Sequence, residues 1–427
     1  MRSTRPTLSV LLALAMATVG MTASASEAAA QDDVTLEVWS WLPNDHDEGM
    51  ATYETIFAAF EEANPGVTIE LTAPPYPTFW DSWVNATIAG QGPDVISMYG
   101  GITAAGYANS LEPLQDSIGD SLEGLRFIEE SYSPDGNLYA APAGAYAYHL
   151  LANEAELGSV GLTAADAFGT WDGLIAACGT LADAGLTPFA SGWADGYELE
   201  GYMYVLMTQL LDADGFAQWV AGELPLTDER FVTAMNHVVE MRDAGCFSED
   251  SLGKAAYYDA FDDIIAGDAV AFRSGDGYTA LDAEATNGEG SMVVMPFPQV
   301  PESAYEQISD AGPNQGWSVT SWASDKDVAA ALVAHIVSTE SQQLLWDNTA
   351  LAPNRDDVEV VAETDLFQDY LDIIAHPENH NTFMAYTDPA LAIFQREASN
   401  LIAGRTETEA ILAEADAAHQ RALEAIR

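Results

Sequence analysis

Basic residues are scarce in this chain. It holds 13 Lys and Arg against 67 Asp and Glu, a formal charge of −54, and Lys254 and Lys326 are its only lysines. Nucleic-acid binding depends on basic side chains that displace phosphate counterions, so that class of partner is excluded. Anionic membrane surfaces and anionic solutes are disfavoured for the same reason. Cysteine is almost absent too, with Cys178 and Cys246 the only two. Beyond the first thirty residues no long apolar run occurs, so no membrane span is expected. Catalytic signatures are also missing: there is no nucleophile elbow, no phosphate loop and no HExxH zinc site. His376-Pro377-Glu378-Asn379-His380 spaces two histidines by four, but Pro377 argues for a turn rather than a metal-binding helix. Asp45, His46, Asp47 and Glu48 lack the spacing and the glycine of a calcium loop and read as a solvated turn. Carboxylate pairs suited to glycoside hydrolysis arise by chance among so many acids and carry little information. No metal and no cofactor is therefore expected.

The N-terminus has the form of a secretory signal. Arg2 and Arg5 form a basic region, Leu8 to Met21 an apolar one, and Ala23-Ser24-Ala25 and Ala28-Ala29-Ala30 offer cleavage sites. Residues 1–30 are thus expected to be removed. No cysteine near that point offers an attachment atom for a lipid anchor, and the expected location is periplasmic or secreted. The remaining length exceeds what one hydrophobic core serves, so two domains are expected. The acids are scattered rather than blocked. They read either as a cation buffer or, in preference, as adaptation to a saline setting, where screening tolerates dense surface carboxylates.

Hydrophobic periodicity lays out an alternating series of elements. Val34 to Trp39 alternates as a strand, and Met50 to Ala63 places Tyr53, Phe57 and Phe60 on one helical face. Val67 to Leu71 alternates again, and Phe79, Trp83, Ala86 and Ile88 recur as a helix stopped by Gly90, Gly92 and Pro93. Asp94-Val95-Ile96 then opens a buried strand with Tyr99-Gly100-Gly101 at its carboxyl end, where open α/β sheets bind ligands. A closing helix is expected over Thr406 to Ile426. The fold class is α/β, with doubly wound lobes.

The aromatic residues divide into two sets. Trp171, Trp219 and Trp346 sit in periodic segments and read as core. Others lie in polar, glycine-rich loops where packing does not demand them: Trp41, Tyr76, Tyr99, Trp193 and Trp317, the last just after Gln315-Gly316. A sugar ring offers an apolar C–H face and a rim of hydroxyls, which aromatic planes and carboxylates or amides match.

Several segments, in order, resemble the sugar-type (family 1) extracellular solute-binding proteins of ABC importers. Asn64-Pro65-Gly66-Val67 and Gly92-Pro93-Asp94-Val95 resemble the family's "NPG-V" and "G-PDV". Asp135-Gly136-Asn137-Leu138-Tyr139 resembles its "dGklY" turn. In His149 to Leu157, only Asn153 and the apolar frame of "lwYNkdlF" remain. Thr170-Trp171-Asp172, Gly267 to Phe272, Gly316-Trp317-Ser318-Val319 and Ser338 to Gln343 resemble further family motifs. The resemblance implies a type II periplasmic-binding-protein-like fold, two lobes joined by three crossings near Ala143–Tyr148, Val294–Phe297 and Asn354–Val358. The lobes would comprise residues 31–145 with 295–355, and 146–294 with 356–427. It also implies a monomer that captures a neutral mono- or oligosaccharide, without catalysis, and delivers it to membrane permease subunits. The matched position after Arg273 makes Asp276 a ligand contact, and Tyr146, Tyr278, Gln315 and Tyr386 complete the candidate set. Relatives with a cysteine pair at similar places imply a Cys178–Cys246 disulfide; the residues alone leave two separate buried thiols open. A polyamine or ferric-ion binder of the same fold, and a secreted carbohydrate-active enzyme, remain the alternatives.

Overall fold

The computed structural model describes residues 33–45, 48–362 and 364–426. The candidate signal peptide and the His46-Asp47 pair lie outside the described residues. Among the described residues ten strands form three sheets. In the first, β1 (Val34–Trp39) pairs in parallel with β2 (Val67–Thr72) and β3 (Val95–Met98). The later strand β10 (Gly316–Val319) lies antiparallel between β3 and β4 (Ala141–Pro142). All four residues of β3 are buried, as expected of a central strand covered on both faces. Asp94 pins its start: one carboxylate oxygen accepts from Glu37 N at 2.8 Å and the other from Ser324 N at 2.6 Å.

Helices Gly49–Ala63 and Tyr76–Ala89 cover this sheet. Tyr53, Phe57 and Phe60 from the first, and Phe79, Trp83 and Ala86 from the second, enter one core with the sheet. Gly90 takes the left-handed conformation that ends the second helix, φ 63°. The sequence reading of these elements is met to within a few residues.

The second main sheet is built on β6 (His149–Asn153), flanked antiparallel by β7 (Ala271–Ser274) and β8 (Met292–Met295). Asn153 ends β6 and caps the next helix, its side chain accepting from Glu156 N at 3.1 Å; this is a physical reason for an asparagine there. The sheet packs against a large helical body. At its centre, helix Tyr197–Leu210 is buried at every position from Glu198 to Leu210, which is why it has no polar face to betray it in sequence. Helices Trp171–Asp183, Glu229–Asp243, Asp388–Ile402 and Thr408–Ile426 supply further buried residues to this core. Trp171 and Trp219 are buried in it.

Cys178 and Cys246 form a disulfide, Cα–Cα 4.7 Å, that ties helix Trp171–Asp183 to the turn after helix Glu229–Asp243.

Between the two main sheets, β5 (Ala145–Ala147) pairs antiparallel with β9 (Ala311–Pro313). β5 lies within Ala143–Tyr148, where the first crossing is expected. Val294, inside the expected second crossing, pairs with Leu151 within the second sheet, and β9 begins only at Ala311. Within Asn354–Val358, Arg355 donates to the carbonyls of Ser121, Glu123 and Val337, which fixes that passage. Ala145, Ala147, Ala311, Trp346, Ala352 and Val358 share a third core around these passages.

Candidate ligand-binding site

Where the paired strands β5 and β9 leave the two sheets, loops from both sides enclose a cavity of about 100 Å3. Two further chambers of about 860 and 490 Å3 adjoin it. The first shares Asp45, Tyr278, Thr349 and Ala350 with the central cavity, and the second Tyr76, Tyr99, Tyr197 and Phe383. From the first sheet's side come Tyr53 on its helix, Tyr76 at the start of the next helix and Tyr99 at the end of β3. The carboxyl end of β3 is the expected ligand position in an open α/β sheet. From β5 and the second sheet's side come Tyr146, Tyr148, Tyr197, Asp276 and Tyr278, with Tyr370 and Phe383. The lining is thus largely tyrosine: planar faces with a hydroxyl at each tip.

These rings are held in place from behind. The Tyr148 and Tyr197 hydroxyls share a hydrogen bond at 3.2 Å. Under them lies Arg273, its guanidinium carbon 4.9 Å from the Tyr148 ring centre and 5.6 Å from that of Tyr197. Arg273 is buried and pairs with buried Glu198 at 3.6 Å. Tyr197 opens its helix after Gly196, which has φ 78° and whose missing Cβ would lie 2.2 Å from Gln395 Cα; only glycine fits there. The Tyr146 hydroxyl donates to buried Asp310, whose other oxygen accepts from Thr208 Oγ1 at 2.9 Å and from Thr382 N at 2.7 Å. This carboxylate joins the crossing strands to the central helix of the second core.

Asp276 presents a carboxyl to the cavity. Its Oδ1 accepts from Thr279 N at 2.9 Å and Thr279 Oγ1 at 2.8 Å. Burial raises its pKa to about 6, against hydrogen bonds from Thr279 that lower it. Glu200, in the smaller side chamber, is pushed up to about 8, again chiefly by burial. Among the described residues no Lys or Arg lines any of the three chambers.

Six of the ten candidates from the sequence line the central cavity: Tyr76, Tyr99, Tyr146, Asp276, Tyr278 and Gln315. Four do not. Trp41 is fully buried behind Tyr76 and Tyr99, with ring centres 5.4 and 5.5 Å away, and buttresses both. Trp317 faces Tyr53 and Phe57 from β10, because Gly316–Val319 is a strand rather than a loop. Trp193 stacks on Tyr202 and packs edge-on to Phe247 inside the second core, and Tyr386 packs there on Trp219. The backbone of Trp193 is tied down as well: its N donates to Ser251 O, and Ser399 Oγ donates to its O. The sequence reading missed Tyr53, Tyr148, Tyr197, Tyr370 and Phe383. Tyr53 and Tyr370 carry the apolar periodicity of their helices, and Tyr148 sits between the buried strands β5 and β6, so no local signal separates them from core.

The sequence profile of the bacterial extracellular solute-binding proteins matches residues 55–373. The chain belongs to that family. No curated protein matches it in sequence. Among solved structures, a chitin oligosaccharide binding protein superposes with a TM-score of 0.81 at 20% identity, covering 92% of this chain and 99% of the other. A solute-binding protein in complex with raffinose gives 0.70 at 19%, covering 91% and 99%. One from Thermotoga lettingae bound with α-D-tagatose gives 0.72 at 18%, with the same coverage. At these identities the superpositions establish the periplasmic-binding-protein-like fold. In this solute-binding protein the tyrosine cavity occupies the junction of the two layers, and no helix among the described residues is long and apolar enough to cross a membrane.

Proposed function

We propose that this extracellular solute-binding protein captures a sugar, a mono- or oligosaccharide, between two lobes and delivers it to the permease of an ABC importer. The reading rests on one observation above all: tyrosine faces from both sheets converge on one cavity, with Asp276 and Gln315 at its rim. Tyrosine planes suit the C–H faces of a pyranose, and the hydroxyls, carboxyl and amide suit its hydroxyl rim. The saccharides bound by the structural neighbours support the same class. The lobes meet along β5, β9 and the passage at Arg355. A ligand touching both is contacted fully only when they close, so binding favours the closed state. The first lobe ends near residue 145 and resumes at the return strand β9, and the second contains β6 to β8 and the C-terminal helices. Export would follow removal of residues 1–30, leaving a monomer without a lipid anchor. The role needs no covalent step.

Melting temperatures measured against a panel of saccharides, polyamines and ferric ion test the reading. A saccharide should raise the melting temperature most, and should be recovered chemically unaltered after prolonged incubation. Stabilisation by a polyamine or ferric ion alone, or cleavage of the saccharide, would contradict it.

A further inference from the structure

The smaller side chamber, about 490 Å3, opens off the tyrosine cavity across Tyr99 and has a different chemistry. Asp195, Glu200 and Asp388 line it, and no basic residue among those described does. Glu200 is only 5% exposed, and its Oε1 has no hydrogen-bond partner. Its other oxygen accepts from the Tyr204 hydroxyl at 3.2 Å, and Asp388 accepts from the Tyr107 hydroxyl at 2.7 Å. Glu200 and Asp388 thus each accept from a tyrosine hydroxyl, and no Lys or Arg among the described residues lines the chamber beside them. The abundance of acids elsewhere does not account for this, because surface carboxylates are solvated whereas Glu200 is withdrawn from water at a cost that only a proton or a cation offsets. Burial, reinforced by Asp195 and Asp388, pushes the Glu200 pKa up to about 8. Trp80 and Tyr99 also line the chamber, their rings stacked on each other 5.9 Å apart at 16°, an aromatic surface of the kind that attracts a cation or covers a sugar ring.

We propose that this side chamber is a cation subsite that takes the ammonium group of an amino sugar, one ring of the bound saccharide. The Glu200 and Asp388 carboxyls accept its N–H donors, and Trp80 and Tyr99 supply the aromatic side of the subsite. The remainder of the ligand lies among the tyrosines, so the inference rests on the sugar reading above and names the class within it. A linear polyamine satisfies the acids but leaves the hydroxyl-rich tyrosine chamber without a partner.

The test is calorimetric titration with matched pairs that differ only in amino groups replacing 2-hydroxyls: glucose and glucosamine, galactose and galactosamine, cellobiose and the β-1,4 glucosamine dimer (two amines), with spermidine as a further arm. For at least one pair that binds, the amino sugar should bind about tenfold more tightly at low salt, the size of a charge-assisted hydrogen bond. That advantage should shrink as sodium chloride rises. In Glu200→Gln and Asp388→Asn the two affinities of the pair should draw together. The salt dependence in the unaltered protein decides the matter if either variant folds poorly. Equal affinity within every pair that binds overturns the subsite and leaves the sugar reading standing. A preference unchanged in both variants also overturns it, because the cation then sits elsewhere. Binding of spermidine in preference to every sugar, or of no sugar at all, overturns both.

Discussion

Trp193 and Tyr197 lie in one short polar loop and do different work. Trp193 is fully buried against Tyr202 and Phe247, whereas the Tyr197 ring reaches the cavity with its hydroxyl on Tyr148. Trp193→Ala should therefore cost about 3–5 kcal/mol of stability, read by denaturant unfolding, through the void it leaves. Tyr148→Ala and Asp276→Asn should instead weaken sugar binding by about 1–3 kcal/mol while the protein stays folded. A destabilised Tyr148→Ala with unchanged affinity would return that ring to the core. The loop's composition showed that an aromatic residue there is unusual, but not which one turns outward; helix Tyr197–Leu210 decides that, and its burial depends on four other helices. Protonation belongs to this scale too. Glu200 holds its proton more tightly folded than unfolded, because burial raises its pKa, reinforced by Asp195 and Asp388 and opposed by Gln395 and Tyr204. Below its ordinary pKa of 4.5 both states are protonated and nothing is lost. As pH rises from there to about 8 the unfolded chain ionises first and folding stability falls. Glu200→Gln lacks that titration, so its stability relative to the unaltered protein should improve steadily across this window. Parallel pH profiles would show that Glu200 is already ionised when buried.

At the scale of elements, strands and helices near the N-terminus were legible because each has one buried face: β1, helix Gly49–Ala63 and helix Tyr76–Ala89 keep their period over their whole length. The different roles of β8 and β9 were not legible, because both are short buried strands and only pairing partners tell them apart. The Cys178–Cys246 bridge closes a segment with a sequence separation of 68 and holds two helices of the second core together. Its removal by a paired Cys→Ser exchange should cost roughly 4 kcal/mol in the chain-entropy account, less if the unfolded chain stays compact. Non-reducing mass measurement of the unaltered protein should find no alkylable thiol. Two modified thiols in the folded, oxidised protein would refute the bridge.

For the whole molecule, charge and ligand chemistry act through different terms. A formal charge of −54 repels itself more in the compact state than in the unfolded chain. Raising salt from 0.1 to 1 M shortens the Debye length from about 10 to about 3 Å, so the melting temperature should rise across that range. A flat response would count against the saline reading of the surface. The uncharged tyrosine faces and hydroxyls of the central chamber, fixed by Arg273, Asp310 and the strands β5 and β9, should respond little to that salt, unlike the acidic side chamber. The central claim is that one saccharide binds in the tyrosine chamber between the lobes. Calorimetric titration of the saccharide panel in 1 M sodium chloride, against the unaltered protein and Tyr148→Ala, tests it most directly. The account predicts binding of one saccharide per chain, reduced about tenfold or more by the exchange. A chain that binds no saccharide under these conditions, or binds one equally well without the Tyr148 ring, would contradict it.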